Sequence, residues 1–248
     1  MSKRLLITGA GRGIGAATAQ IAAEKGYRVM VNYRADRIAA ESLVARIVDQ
    51  GGEALCWQAD IADEQAVCEM FAELDRCWGG VDALVNNAGI LETQCRLEQI
   101  DGGRLQRVFA TNVFGSFYCA REAVKRMSTR NGGGGGAIVN LSSIAASLGA
   151  PNEYLDYAAA KGAIDSFTRG LAKEVAEEGI RVNAVRPGVI DTQIHTAGGE
   201  PDRVTRVAQS VPLKRGGTAQ EVAQAILWLL SDKASYCTGT LLDVAGGR

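Results

Sequence analysis

The chain carries a single histidine, His195, and six cysteines at 56, 68, 77, 95, 119 and 237, none of them in a Cys-x-x-Cys pair. One imidazole and scattered thiols make no zinc-ligand cluster, so no metal site is expected. The thiols are expected to be reduced and at least partly buried. No apolar run approaches the ~18 residues of a membrane span. The basic start, Met1-Ser2-Lys3-Arg4, precedes an apolar stretch of only Leu5 to Ile7, too short for a signal-peptide core. Cytoplasmic residence is the default expectation, and the glycosylation-like Asn140-Leu141-Ser142 is read as coincidence. Charge of one sign is lacking too. With 27 Lys+Arg against 28 Asp+Glu the net charge is −1, which argues against nucleic acid and acidic membrane surfaces as partners.

The 47% of hydrophobic residues is enough for a sizeable core and excludes a mostly disordered chain. A length of 248 residues suits one α/β domain. Proline is scarce at 4 and glycine plentiful at 30. Short β-branched runs alternate with longer amphipathic stretches. The pattern predicts strands near 5–8, 28–33, 53–58, 81–86, 137–142, 181–186 and 240–244. Helices are predicted near 14–25, 37–50 and 63–78, within 96–130, at 156–178 and within 192–231. Such alternation implies a parallel sheet with helices on both faces. No linker or second composition regime divides the chain. The run Gly132–Gly136 reads as a mobile hinge or surface loop.

The first strand leads into Thr8-Gly9-Ala10-Gly11-Arg12-Gly13-Ile14-Gly15. Glycines there let the backbone approach a phosphate, and the following helix offers unpaired N–H groups and a positive dipole end. The alternative is a turn with glycine for geometry alone. The spacing departs from Gly-x-Gly-x-x-Gly and fits Thr-Gly-x-x-x-Gly-x-Gly through Gly9, Gly13 and Gly15. That pattern resembles the short-chain dehydrogenase/reductase family. An acid closing the second strand would accept from the ribose of NAD, but no acid occurs from Tyr27 to Ala35. Arg34 stands there instead, and Arg12 projects from the turn. Two guanidinium groups suit the 2′-phosphate of NADP(H), unless both are solvated surface arginines.

Asp60-Ile61 follows the third strand. Asp60 can accept from an adenine amino group or serve as an ordinary N-cap for the next helix. Asn86-Asn87-Ala88-Gly89 closes the fourth strand, where ligands of such sheets bind. Small residues let a ring or ribose lie against that backbone, and asparagine side chains can hold the loop. Tyr157 and Lys161 are four apart on one helical face. A phenol ordinarily loses its proton near pH ~10, and bringing that to about 7 takes roughly 4 kcal/mol. A lysine ammonium and a cationic nicotinamide could supply much of it. The phenol could then exchange a proton with a substrate oxygen. Ser143, at the end of the fifth strand, could orient that oxygen, with Ser142 as its rival. Both serines could instead merely satisfy the loop backbone. Asn112 could hold a water that links Lys161 to bulk, or be a mid-helix polar residue only.

In order and spacing these motifs resemble the short-chain dehydrogenase/reductase family from Lys3 to Gly247, notably its bacterial branch of 3-oxoacyl-carrier-protein reductases and glucose 1-dehydrogenases. The resemblance implies a Rossmann-like, doubly wound, seven-stranded parallel sheet of order 3-2-1-4-5-6-7. It implies a catalytic tetrad of Asn112, Ser143, Tyr157 and Lys161, with Tyr157 and Lys161 also touching the cofactor. The segment Arg186-Pro187-Gly188-Val189-Ile190-Asp191-Thr192 resembles the family's Pro-Gly segment. There Pro187, Gly188, the backbone around Ile190 and the Thr192 hydroxyl would hold the nicotinamide amide. Implied as well are NADP-linked interconversion of an alcohol and a carbonyl in a small molecule, and a homotetramer. Ala160 departs from the serine that many relatives carry beside the lysine.

Substrate choice is expected in the loops 91–96, 145–154 and 192–212, the last a candidate lid. Arg203 and Arg206 there could meet an anionic substrate or form a solvated helix face. His195 could touch substrate. The helix at Val113–Ala120 is apolar nearly all round, which suggests a partner subunit. A non-catalytic NADP sensor on the same fold is the competing reading, but a sensor has no need of Tyr157 and Lys161 in register. A purely structural oligomer leaves Arg12 and Arg34 without a purpose.

Overall fold

In the computed structural model, which describes residues 2–248, strands and helices alternate along the whole chain. The strands are β1 (Arg4–Ile7), β2 (Arg28–Tyr33), β3 (Glu53–Gln58), β4 (Ala83–Asn86), β5 (Gly136–Leu141), β6 (Ile180–Pro187) and β7 (Leu241–Val244). The helices are α1 (Gly13–Glu24), α2 (Arg37–Asp49), α3 (Glu64–Trp78), α4 (Gly102–Phe109), α5 (Gly115–Met127), α6 (Ala145–Leu148), α7 (Leu155–Glu174), α8 (Ile194–Ala197), α9 (Arg203–Ala208) and α10 (Ala219–Leu230). All strand pairs are parallel, in the order β3-β2-β1-β4-β5-β6-β7.

Both faces of this sheet are covered, which is why its central strands read as continuous apolar runs. Leu5, Ile7, Val29, Val31 and Val85 point into one core with α1, α2 and α10. Leu6, Met30, Leu84, Ile138 and Val182 point into the other with α3, α5 and α7. The strand order reverses between β1 and β4, and that switch point is where a ligand crevice opens at the carboxyl ends.

Three local features differ from the sequence expectation. Residues 145–148 form the short helix α6 inside what reads as a loop. Between α4 and α5 the chain makes a π-helical turn, Ala110–Phe114, a type of irregularity that concentrates at functional sites. The glycine run is a packed turn and not a loose hinge. Gly133 and Gly135 donate to Ser128 O and Met127 O at 2.9 and 2.8 Å, and Gly136 N donates to Gly179 O at 3.0 Å as β5 begins. A Cβ on Gly133 would lie 2.3 Å from the Arg126 carbonyl oxygen, so glycine is there for close approach.

Candidate active site

A cleft of about 620 Å³ runs along the carboxyl ends of the strands. Its floor at one end is the β1–α1 turn. Gly9 has φ +60°, and a Cβ there would lie 2.9 Å from Ala88 Cα. A Cβ on Gly15 would lie 2.6 Å from the side-chain Nδ2 of Asn87. The turn is therefore packed against the backbone of Ala88 and the side chain of Asn87. Asn87 Nδ2 donates to Thr8 O and Gly9 O at 2.8 and 3.0 Å, and the Thr8 hydroxyl accepts from Asn87 N and Ala88 N, both at 3.0 Å. Arg12, the residue before α1, gives that helix no side-chain cap. Its first-turn donors are left for a ligand, and Gly13 and Ile14 line the cleft.

Two supports of this turn have structural roles that the sequence reading does not assign, Asn32 and the motif's own Thr8. Asn32 accepts from Gly9 N at 3.1 Å and donates to Ala59 O at 3.0 Å, tying the ends of β1, β2 and β3 together. Thr8 ties β1 to β4. Their signal in the sequence is faint: a polar residue near the end of an apolar strand.

Arg12 and Arg34 both stand exposed at the rim. Among the described residues the Arg34 guanidinium pairs only with Asp60, at 3.9 Å. Asp60 is not an N-cap. Asp63 caps α3 by accepting from Gln65 N and Ala66 N, while Asp60 accepts from Ala62 N at 2.9 Å. Asp60 and Ile61 line the cleft, as do Asn87, Ala88, Gly89, Pro187, Gly188, Ile190 and Thr192. Thr192 sits against Gly13, so the Pro-Gly segment closes over the glycine turn.

At the other end the tetrad residues converge from three places: the end of β5, helix α7 and the π-helical turn. Ser143 follows β5, lines the cleft and accepts from Ala145 N at 3.1 Å. Its rival Ser142 is committed elsewhere, donating to Lys161 O at 3.1 Å. Tyr157 and Lys161 share a face of α7, with Lys161 Nζ 5.5 Å from the Tyr157 ring. Lys161 Nζ donates to Leu141 O at 2.6 Å. Burial pushes the Tyr157 phenol up to about 12, against a lowering by the Ser143 hydroxyl and the Arg203 charge. Burial likewise pushes Lys161 down to about 8, against the pull of Asp165. Among the protein's own groups desolvation dominates; the sequence expectation has the lysine lower the phenol together with a cationic nicotinamide.

Asn112 lies in the π-helical turn, buried. Its side chain clamps Ile90, accepting from Ile90 N at 2.7 Å and donating to Ile90 O at 3.0 Å. The amide is thus engaged with the loop after β4. Gly89 leaves room there: a Cβ would lie 3.3 Å from Asn112 Oδ1 and 3.6 Å from Lys161 Nζ.

Neither Arg203 nor Arg206 is a free anion site: both are ion-paired, Arg203 buried and Arg206 on the exposed side of its helix. Arg203 pairs with Glu153 and Glu200 at 2.6 and 2.8 Å and lies over the Tyr154 ring. Arg206 pairs with the same two carboxylates, at 3.1 Å for Glu153. Gln94 Nε2 donates to Glu200 at 2.5 Å. This cluster joins 192–212 to both other specificity loops. His195 lines the cleft, and its Nε2 meets Ile190 O at 2.9 Å. That carbonyl can only accept, so Nε2 carries the proton. Burial holds the imidazole below its usual pKa. Among the described residues no group of His, Cys, Asp and Glu could hold a metal.

A family model described as "Enoyl-(Acyl carrier protein) reductase" matches residues 9–248. The chain is 58% identical over 243 residues to the uncharacterized oxidoreductase YgfF of Escherichia coli K12, covering 98% of each chain. It is 38% identical over 247 residues to a 3-oxoacyl-[acyl-carrier-protein] reductase of Staphylococcus epidermidis, covering 100% of this chain and 99% of that one. It is 37% identical over 246 residues to a 3beta-hydroxysteroid dehydrogenase of Eggerthella lenta, covering 99% and 93%.

Proposed function

The chain belongs to the short-chain dehydrogenase/reductase family of oxidoreductases, and from that premise we propose that it is an NADP(H)-dependent enzyme interconverting a carbonyl and a secondary alcohol, with Tyr157 as general acid/base. The observation that carries this is convergence. Ser143, Tyr157 and Lys161 meet in the same cleft as the glycine turn and the Pro-Gly segment. The residues fit a nicotinamide dinucleotide. The glycine turn lines the cleft, with Gly9 and Gly15 pressed too close to Ala88 and Asn87 for a Cβ, the α1 N–H donors are uncapped, and two arginines stand at the rim where a 2′-phosphate would lie. When bound, the nicotinamide supplies the hydride or accepts it, and its oxidised form adds a positive charge to the site.

This chain's residues do the rest. A phenol with pKa near 12 is protonated at neutral pH, the state needed to give a proton to a carbonyl oxygen. The Ser143 hydroxyl is placed to orient that oxygen. The Lys161 ammonium favours the phenolate that remains. Asn112 fixes the loop at Ile90. Arg203 is saturated by two carboxylates, which favours a substrate uncharged at that end. The names of the relatives put 3-oxoacyl thioesters and hydroxysteroids among the first compounds to try.

Segment 192–212 serves as a lid, the assembly is a homotetramer, and the expected location is the cytoplasm. No helix among the described residues is long and apolar enough to cross a membrane. The cofactor reading predicts that Arg34→Asp weakens NADPH binding about tenfold or more, because a charged hydrogen bond to phosphate is worth roughly 1.5–3 kcal/mol. NADH binding should change far less. Fluorescence titration with both cofactors measures this, and equal losses for the two would refute the arginine assignment. Loss of turnover in Tyr157→Phe with NADPH binding retained separates the enzyme from a non-catalytic sensor.

A further inference from the structure

The first turn of α7 must hold Tyr157 in place, yet it begins with little to fix it. The residue before the helix, Tyr154, makes no side-chain cap to it. The first N–H groups of any helix lack intrahelical partners, so an uncapped first turn is its least determined part. Tyr157 is the third residue of this helix. The residue before it, Asp156, is buried with its carboxylate bound bidentately by Arg104. Nε meets Oδ2 at 2.6 Å and Nη2 meets Oδ1 at 3.1 Å. The third nitrogen, Nη1, donates to Thr93 O at 2.6 Å in the loop after β4. Burial would raise the Asp156 carboxyl. Hydrogen bonds from Arg104 and the Tyr157 backbone N–H hold it below the usual carboxylate range.

Resting on the oxidoreductase reading above, we propose that Arg104 is a positioning residue for Tyr157, orienting the first turn of α7 and the loop at Thr93 from a single guanidinium. Arg104 sits in the first turn of α4, where the helix dipole disfavours a cation, and it is only 7% exposed. A surface arginine placed for solubility has neither feature. Docking of α4 on α7 does not need it. Val108, Val113 and Ala160 already form an apolar cluster there with Ile90, Phe109 and Ala163. A buried ion pair adds little net stability over an apolar pair of similar size. What it does add is geometry, because a planar fork on a carboxylate sets rotation as well as distance. Misplacement of a reacting group by about 1 Å can cost on the order of 100-fold in rate.

The test compares wild type, Arg104→Lys and the paired variant Arg104→Met with Asp156→Leu. The pair removes both charges, so no carboxylate is left buried alone and the fold has an apolar replacement. The proposal predicts that the pair keeps its Tm within a few degrees and keeps its NADPH affinity. Its kcat falls about tenfold or more and its KM for the carbonyl substrate rises. Arg104→Lys retains the charge without the fork and is expected to fall between the two. Amide hydrogen exchange should quicken at residues 91–96 and 155–158 and not elsewhere. A pair variant with wild-type kcat and unchanged exchange overturns the proposal, as does Arg104→Lys with full activity. If wild type itself turns nothing over, the oxidoreductase reading fails on its own, and exchange in those two segments still decides the positioning role.

Discussion

Lys161 is buried beside the tyrosine it serves, and its Nζ donates to the Leu141 carbonyl at 2.6 Å. Its folded pKa of about 8 lies below the ordinary 10.5. The folded state therefore holds this proton more weakly than the unfolded state. The ammonium costs stability below about pH 8, and that cost is relieved as pH rises from about 8 to 10.5. Lys161→Met should gain roughly 1–3 kcal/mol relative to wild type near pH 7, less what the stripped Leu141 carbonyl loses. Thermal melts at several pH values check this. The gap between the two proteins should narrow between pH 8 and 10.5; a constant gap would contradict the assignment. Catalysis moves the other way. Reductive kcat/KM should decline as pH rises through about 8, when the lysine discharges. At this scale the reactive groups were legible because Tyr157 and Lys161 share a helical face and Ser143 ends a strand. The partners of Asn112 and Arg203 were not. Both depend on residues far away in sequence, Asn112 on Ile90 and Arg203 on Glu153.

Among the elements, the turn between α5 and β5 shows where composition misleads. Five consecutive glycines suggest slack, but two of them serve unlike purposes. Gly133 is pressed to 2.3 Å from the Arg126 carbonyl oxygen by its would-be Cβ, whereas Gly134 faces nothing within 4 Å. Gly133→Ala should lose about 2 kcal/mol or more through overpacking. Gly134→Ala should be neutral or gain roughly 0.4–1 kcal/mol by restricting the unfolded chain. Urea titrations of the two variants give the answer, and equal effects would mean that the turn is loose after all. Strand and helix positions were readable from period and from the glycines that end α1 and α2. The π-helical turn at 110–114 and the short α6 were not, since neither leaves a periodic signature. Both lie beside the cleft, where local regularity gives way to side-chain placement.

For the molecule as a whole, the covered sheet and its switch point follow from alternation of apolar strands with amphipathic helices, and the parallel order agrees with the family resemblance. One face stays less complete. Phe114 and Phe117 are 50% and 45% exposed, and Phe117 stacks on Phe167 of α7 with ring centroids 3.8 Å apart. Large apolar groups of this kind mark association sites. Light scattering should give the mass of four chains, and Phe117→Glu should lower it; a single monomer peak for wild type would refute the tetramer. The central claim is that Tyr157 passes a proton while NADPH gives up hydride to a carbonyl. Its most direct test is NADPH consumption, with identification of the alcohol formed, over 3-oxoacyl thioesters, ketosteroids, sugars, quinones and simple aldehydes. Wild type is run beside NADH controls and Tyr157→Phe. The account predicts turnover with NADPH, much less with NADH, and none in the variant although it still binds NADPH. Turnover that survives in Tyr157→Phe would contradict it.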